Sequence, residues 1–147
     1  MKFAKERTQP SKDLIARLCD IKPSRILDLG CGPGNSTQTL RNRFNNAEII
    51  GVDASENMLE KARNEHPDLK FEKCFLPQGL ENIDGKFDLI FSNACIHWIP
   101  EQRELLTACK NKLNKNGTLA VQIPFVQNAP FYKILYKLVD EKWTNLK

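Results

Sequence analysis

Residues 26–34 read Ile-Leu-Asp-Leu-Gly-Cys-Gly-Pro-Gly, and this run constrains the fold more tightly than any other stretch of the chain. An apolar run carrying one acid, Asp28, breaks into glycines at every second position: Gly30, Gly32 and Gly34. A strand ending in such a loop lets its backbone approach another group closely, because no Cβ stands in the way. The segment from Asn35 to Phe44 reads as a helix, so the loop sits at a helix N-terminus, where unpaired N–H groups gather. Strand, glycine turn and helix together make the opening of a nucleotide-binding α/β unit.

The spacing narrows the nucleotide. A dinucleotide fingerprint needs glycines as G-x-G-x-x-G. Counted from Gly30 and Gly32 the third position is Asn35, and counted from Gly32 and Gly34 it is Thr37. Neither frame fits, which disfavours an NAD-dependent oxidoreductase. The pattern present is D-x-G-x-G-x-G. A carboxylate two residues before the first glycine is a poor neighbour for a pyrophosphate and a good one for a ligand bearing an ammonium and a sulfonium. A second acid supports it. Ala47 to Asp53 reads as a strand ending in Asp53, 19 residues after Gly34. That offset puts an acid at the second strand's end, where a carboxylate accepts from ribose hydroxyls. Ser55 to Leu59 then opens another helix, with Met58, Leu59 and Ala62 on one side and Pro67 ending it; the plain reading of Asp53 is a solvated strand end or an N-cap near Ser55.

These residues resemble motif I and the following acidic strand end of the class I S-adenosylmethionine-dependent methyltransferases. The resemblance implies S-adenosyl-L-methionine as cofactor. It implies contacts from Asp28, Gly30, Cys31, Gly32, Gly34, Asp53 and Ala54, and from Asn93 on the methionine part. Met58 is the candidate to pack on the adenine, against the plainer reading of a core methionine.

A chain of 147 residues is read as one domain, long enough to bury roughly 70% of its unfolded surface. No apolar run approaches the ~20 residues of a membrane span. The start, Met1 to Arg7, lacks a signal peptide's apolar core, so a cytoplasmic protein is expected. The five cysteines, Cys19, Cys31, Cys74, Cys95 and Cys109, follow no metal or redox spacing and read as reduced, mostly buried thiols. Cys31 is read as a fit to space and not as a nucleophile. The net charge of +4 is scattered, with no basic tail for nucleic acid, though it helps anionic small molecules approach.

Helices and strands alternate. Ser11 to Asp20 reads as a helix with Leu14, Ile15 and Leu18 inward. Strands are expected at Arg25 to Leu29, to Asp53, near Leu69 to Phe75, at Lys86 to Ser92 and at Thr118 to Ile123. Pro100 opens a helix at its first position, with Leu105, Leu106, Cys109 and Leu113 as its stripe, and Asn114 to Gly117 stops it. A last amphipathic helix carries Phe131, Ile134, Leu135, Leu138 and Val139. The expected fold is α/β, a Rossmann-like three-layer core with a mostly parallel sheet of order 3-2-1-4-5.

Further segments resemble the trans-aconitate methyltransferases: Arg7 to Pro10 with Leu14 to Arg17, Asp28 to Thr37, Gly51 to Ser55, Ser92 to Ala94, His97 to Pro100 and Ala120 to Pro124. The resemblance implies methyl transfer to a carboxylate oxygen of a small organic acid. A malonyl-thioester carboxyl methyltransferase is a related option. Arg7, His97 and Trp98 are the candidates to meet the acceptor, and His97 is the candidate base for a hydroxyl substrate; each has a plain surface or loop reading beside it. His66, before Pro67, reads as solvated. Enzymes acting on nucleobase amines carry [DNS]-P-P-[YFW] after the fourth strand. Here the place reads Asn93-Ala94-Cys95-Ile96, which argues against them.

Two departures stand out. Where the family usually has an acid that meets the adenine amino group, this chain has Phe75, beside Cys74. That leaves the backbone at Leu76 and apolar stacking to hold the ring. The family's sheet also continues into an antiparallel pair, whereas this sequence reaches Lys147 after one predicted helix. The expectation is an incomplete domain over residues 1–147, lacking the last two strands and most of the substrate cover, with an open edge at the fifth strand. The alternative to a working enzyme is a truncated domain that binds S-adenosylmethionine with little or no turnover.

Overall fold

The computed structural model describes residues 3–124 together with Ile134 and Lys137, and describes side chains from Gln9 onward. Ile134 and Lys137 are helical; the rest of the predicted last helix lies outside the described residues.

Between residues 3 and 124 four helices and five strands follow one another: α1 (Phe3–Ala16), β1 (Arg25–Leu29), α2 (Asn35–Arg43), β2 (Glu48–Asp53), α3 (Glu56–Glu65), β3 (Lys70–Lys73), β4 (Phe87–Asn93), α4 (Gln102–Lys112) and β5 (Leu113–Gln122). Short 3₁₀ turns occupy Gln78–Asn82 and Ile96–Trp98. The sheet order is β3-β2-β1-β4-β5, as expected, and each neighbouring pair is parallel. Among the described residues no helix is long and apolar enough to cross a membrane.

The central strands are apolar because both of their faces are covered. Ile26, Leu40, Phe44, Ile49, Leu89 and Phe91 pack on one side, with Ile15 from α1. Leu27, Leu29, Ile50, Val52, Phe87 and Ile90 pack on the other, with Leu105 and Cys109 from α4. Each such side chain contributes about 1.5–3 kcal/mol by leaving water. Asp28 is the exception within β1: it is 0% exposed, level with Gly51 on β2 and Phe91 on β4.

Several boundaries differ from expectation, each for a local reason. Helix α1 runs through Pro10 from Phe3 and stops at Ala16. The Gln9 amide donates to Asp13 Oδ1 across one turn at 2.7 Å, on either side of the proline. Arg17 and Leu18 close the helix with bonds to Leu14 and Ile15, three residues back. Pro100 lies outside α4, whose N-cap is Glu101. Asn114 to Gly117 are not a stop but part of β5. They form an irregularity between the pairs Phe87–Leu113 and Leu89–Thr118, with Asn116 at φ 64. The Asn114 amide donates to Asp88 Oδ1 at 2.8 Å and fixes this bulge to β4. Met58 is no core residue: Leu59 and Ala62 are buried, while Met58 is 44% exposed. Cys31, Cys74 and Cys109 are buried; Cys19 is exposed.

Candidate functional site

The carboxyl ends of β1, β2, β3 and β4 meet at one rim of the sheet, beside the point where the strand order reverses. In sheets of this kind ligands bind there.

The glycine loop leaves β1 and is pinned to β2. Gly30 and Cys31 both donate to Val52 O, at 2.8 and 3.0 Å. Gly32 donates to Asp53 Oδ2 at 2.9 Å. The other oxygen, Asp53 Oδ1, accepts from Ser55 N at 2.9 Å, so one carboxylate ties the loop to the start of α3. Two of its roughly four acceptor positions stay open. Ser55 caps α3, its hydroxyl accepting from Met58 N. Ala54 lies exposed between the two.

The three glycines share positive φ and do different work. A Cβ on Gly30 (φ 67) would lie 2.2 Å from Cys95 Sγ. One on Gly34 (φ 88) would lie 2.7 Å from His66 Cδ2 and 2.9 Å from Phe71 Cζ. One on Gly32 (φ 53) would meet no atom within 4 Å. Gly30 and Gly34 thus admit neighbouring side chains, and Gly32 alone looks onto open space. Cys31 points away from that space. Its side chain packs with Leu59, Ala62, Leu69 and Phe71, and burial, helped by Asp28 and Asp53, pushes its thiol far up. It is no nucleophile.

Asp28, the acid two residues before the first glycine, is fully buried in β1. Its Oδ2 accepts from the hydroxyls of Ser36 and Thr37, both at 2.7 Å, in the first turn of α2. Its Oδ1 is buried without a partner. Burial pushes the carboxyl up to about 6, against the opposing pull of those two hydroxyls. Ser36 and Thr37 were not singled out from sequence. Hydroxyls eight and nine residues after an acid, across a glycine turn, are the signal that could have found them.

The opposite wall follows β4. Asn93 ends that strand beside Gln122 on β5, and each has a buried side-chain oxygen without a partner. Ala94 turns in the left-handed region at φ 54, its N–H donating to Gln122 O at 2.8 Å. Cys95 wedges against Gly30, its thiol raised to about 12 by burial. His97 keeps Nδ1 buried and unpartnered, and burial lowers its pKa below the ordinary imidazole value, which favours the neutral ring. Trp98 is 76% exposed, its ring 4.8 Å from that of His97. Buried Gln102 holds this turn, its amide donating to Ile96 O at 2.6 Å and to Ile99 O. Gln102 was also missed; a polar residue on the inward stripe of α4 is its only mark in the sequence. The side chain of Arg7 lies outside the described residues. His66 is half-buried against Gly34, with Nε2 unpartnered, and is not the solvated residue expected. Among the described residues no group of three or more His, Cys, Asp or Glu side chains could hold a metal.

A parallel 3-2-1-4-5 sheet with a glycine loop and an acidic second strand end defines a nucleotide-binding α/β domain, and the comparisons narrow its class. The chain belongs to the methyltransferase domain family, whose model matches residues 26–117. It is 40% identical over 147 residues to a trans-aconitate 2-methyltransferase of Sinorhizobium fredii, covering 97% of this chain and 54% of the relative. It is likewise 40% identical over 141 residues to one of Methylobacterium nodulans, covering 96% and 54%. The chain therefore spans about half the length of the curated relatives it matches. An S-adenosylmethionine-dependent methyltransferase from Clostridium acetobutylicum superposes with a TM-score of 0.62 at 27% identity, covering 80% of this chain and 55% of that one. Streptomyces venezuelae DesVI superposes at 0.65 with 22% identity, covering 84% and 53%. Membership implies S-adenosylmethionine as co-substrate.

Proposed function

We propose that this chain carries the cofactor site of a methyltransferase that acts on a carboxylate oxygen of a small organic acid, of the trans-aconitate kind. One observation carries the reading: Gly32 opens onto free space while its N–H is held by the carboxylate of Asp53. Backbone accessible to a ligand and an acid with acceptor capacity to spare therefore stand side by side.

The residues fit S-adenosylmethionine. Asp53 accepts from the ribose hydroxyls, with Ala54 beside it, and the backbone of Gly30 to Gly34 lines the approach. Met58, exposed in the first turn of α3, offers apolar surface to the base. The ammonium needs acceptors, and the buried unpartnered oxygens of Asp28 and Asn93 are acceptors, reached directly or through water. When bound, this cofactor supplies an electrophilic methyl on a sulfonium.

The chain's own residues then have a modest task. A carboxylate with a pKa of about 4 is ionised at pH 7 and needs no general base. What remains is alignment and removal of water from the acid. Trp98 gives a flat apolar wall and His97, in its neutral form, an acceptor for a protonated group on the substrate. Arg7 is the candidate cation for a second carboxylate. The 40% identity to trans-aconitate 2-methyltransferases supports an acid as acceptor.

A second reading, a domain that binds with little or no turnover, is favoured by Phe75, which stands exposed where an acid would meet the adenine amino group. Calorimetric titration with S-adenosylmethionine, S-adenosylhomocysteine and NAD, followed by labelled-methyl transfer to a panel of small acids including trans-aconitate, separates the two. Heat with the sulfur ligands and label in trans-aconitate is the expected result. Heat without label leaves the second reading, and no heat with either sulfur ligand removes both.

A further inference from the structure

Three large apolar side chains stand exposed among the described residues: Met58, Phe75 and Trp98. Two of them flank Asp53. Met58 is one turn into the helix that Ser55 caps, and Ser55 donates to Asp53. On the other side Cys74 N donates to Asp53 O at 3.0 Å, and Phe75 is the next residue, 62% exposed. Lys73 lies over the Phe75 ring, 5.5 Å from its centroid, and its ammonium is 3.8 Å from Glu56 Oε2 on α3.

The carboxylates beside this aromatic, Glu56 and Glu72, are already paired. Glu56 accepts from Arg63 at 2.7 Å as well as facing Lys73. Glu72 pairs with Lys70 at 2.8 Å. The carbonyl of Phe75 itself accepts from Gly79 N–H at 2.6 Å. The patch next to the ribose-binding acid thus offers apolar and aromatic surface and no uncommitted carboxylate.

We propose that Phe75 sets base selectivity: the site holds the purine by its faces and does not read the group at its 6-position. The inference rests on the cofactor reading above and deepens it. Apolar and aromatic surfaces grip a flat ring whatever its edge carries, because every base has a π-face. A site built to bond an amine rejects the analogue without it, since its own buried partner is then left unpaired. With phenylalanine at position 75, no side-chain acceptor waits there for the 6-amino group of adenine, and none is left unpaired by the 6-oxo group of hypoxanthine.

The test is calorimetry with S-adenosylhomocysteine and S-inosylhomocysteine on the full chain. The dissociation constants for the unaltered protein are expected within about threefold of each other, less than the worth of one hydrogen bond to a charged group. Phe75→Asp is expected to shift the ratio toward the adenosyl ligand, since a carboxylate facing the 6-position accepts from the amine and repels the oxo group, with only the N1–H of hypoxanthine to offset it. Phe75→Leu is expected to weaken both ligands alike and keep their ratio near one. An unaltered protein that prefers the adenosyl ligand by more than about tenfold overturns the inference and leaves the cofactor reading standing; neither ligand binding removes both. The ratio for the unaltered protein decides the matter even if a variant fails to fold.

Discussion

The two walls of the rim are built differently. On the β1–β2 wall, Gly30, Cys31 and Gly32 each donate to the end of β2, and Asp53 ties the loop to α3. On the β4–β5 wall, Asn93, His97 and Gln122 bury polar atoms without partners, and Trp98 stands in solvent. A buried unpartnered acceptor costs about 1–3 kcal/mol. The first wall is a backbone scaffold held by bonds the fold needs anyway, though Asp28 Oδ1 and His66 Nε2 behind it are also unpartnered. The second is a set of acceptors that ask for donors from elsewhere. On the function proposed above, the first wall is the fixed cradle for the nucleoside, and the second, apart from Asn93 at the ammonium, lies toward the acceptor.

Four measurements bear on this contrast, from the largest effect to the smallest. Gly30→Ala drives a Cβ into Cys95 and should cost about 3 kcal/mol or more in denaturant unfolding. Gly32→Ala, facing open space, should cost only about 1–2 kcal/mol. Equal costs would show that the glycines are not divided as described. Asp53→Ala removes both of its backbone bonds and should lose about 2 kcal/mol and all measurable heat with S-adenosylhomocysteine. Retained binding breaks the assignment of this wall to the cofactor. Asp28 gives the third. Its folded pKa of about 6 lies above its ordinary 3.8, so its contribution to stability is fully present below 3.8 and is lost as pH rises through about 6. Ligand affinity should run the other way, rising as pH climbs through about 6, because an ammonium prefers the ionised acid. Asp28→Asn should flatten both profiles, as read by thermal melts and titrations across pH 4.5 to 8. Last, Trp98→Ala should change stability by no more than about 0.5 kcal/mol and leave S-adenosylhomocysteine affinity unchanged while methyl transfer falls. A loss of cofactor affinity there would erase the difference between the walls.

The strands, their order and the positions of Asp28 and Asp53 along them were legible because period and glycine spacing are local properties. What was not legible depends on tertiary approach. Asn114 to Gly117 carry turn chemistry, yet they lie in a strand because Asp88 on β4 accepts from Asn114. Met58 has core chemistry and helical spacing, yet the first turn of α3 leaves it at the rim. His66 sits under Gly34 because α3 ends against the loop, and no neighbour in sequence announces that. Asp28 was found by pattern, but how deep it sits and which of its oxygens is taken are set by α2. The glycines were found as one motif and turn out to be three separate fits.

The wedge between Gly30 and Cys95 makes positions 65 residues apart a single inherited unit. The sulfur fills the volume that any side chain at position 30 would claim. A change at one site is therefore conditional on the other: Cys95→Gly should partly rescue Gly30→Ala, though neither helps alone. In descendants of this chain the two positions would drift together or not at all, and a bulky residue opposite the loop would mark a lineage that has abandoned the site.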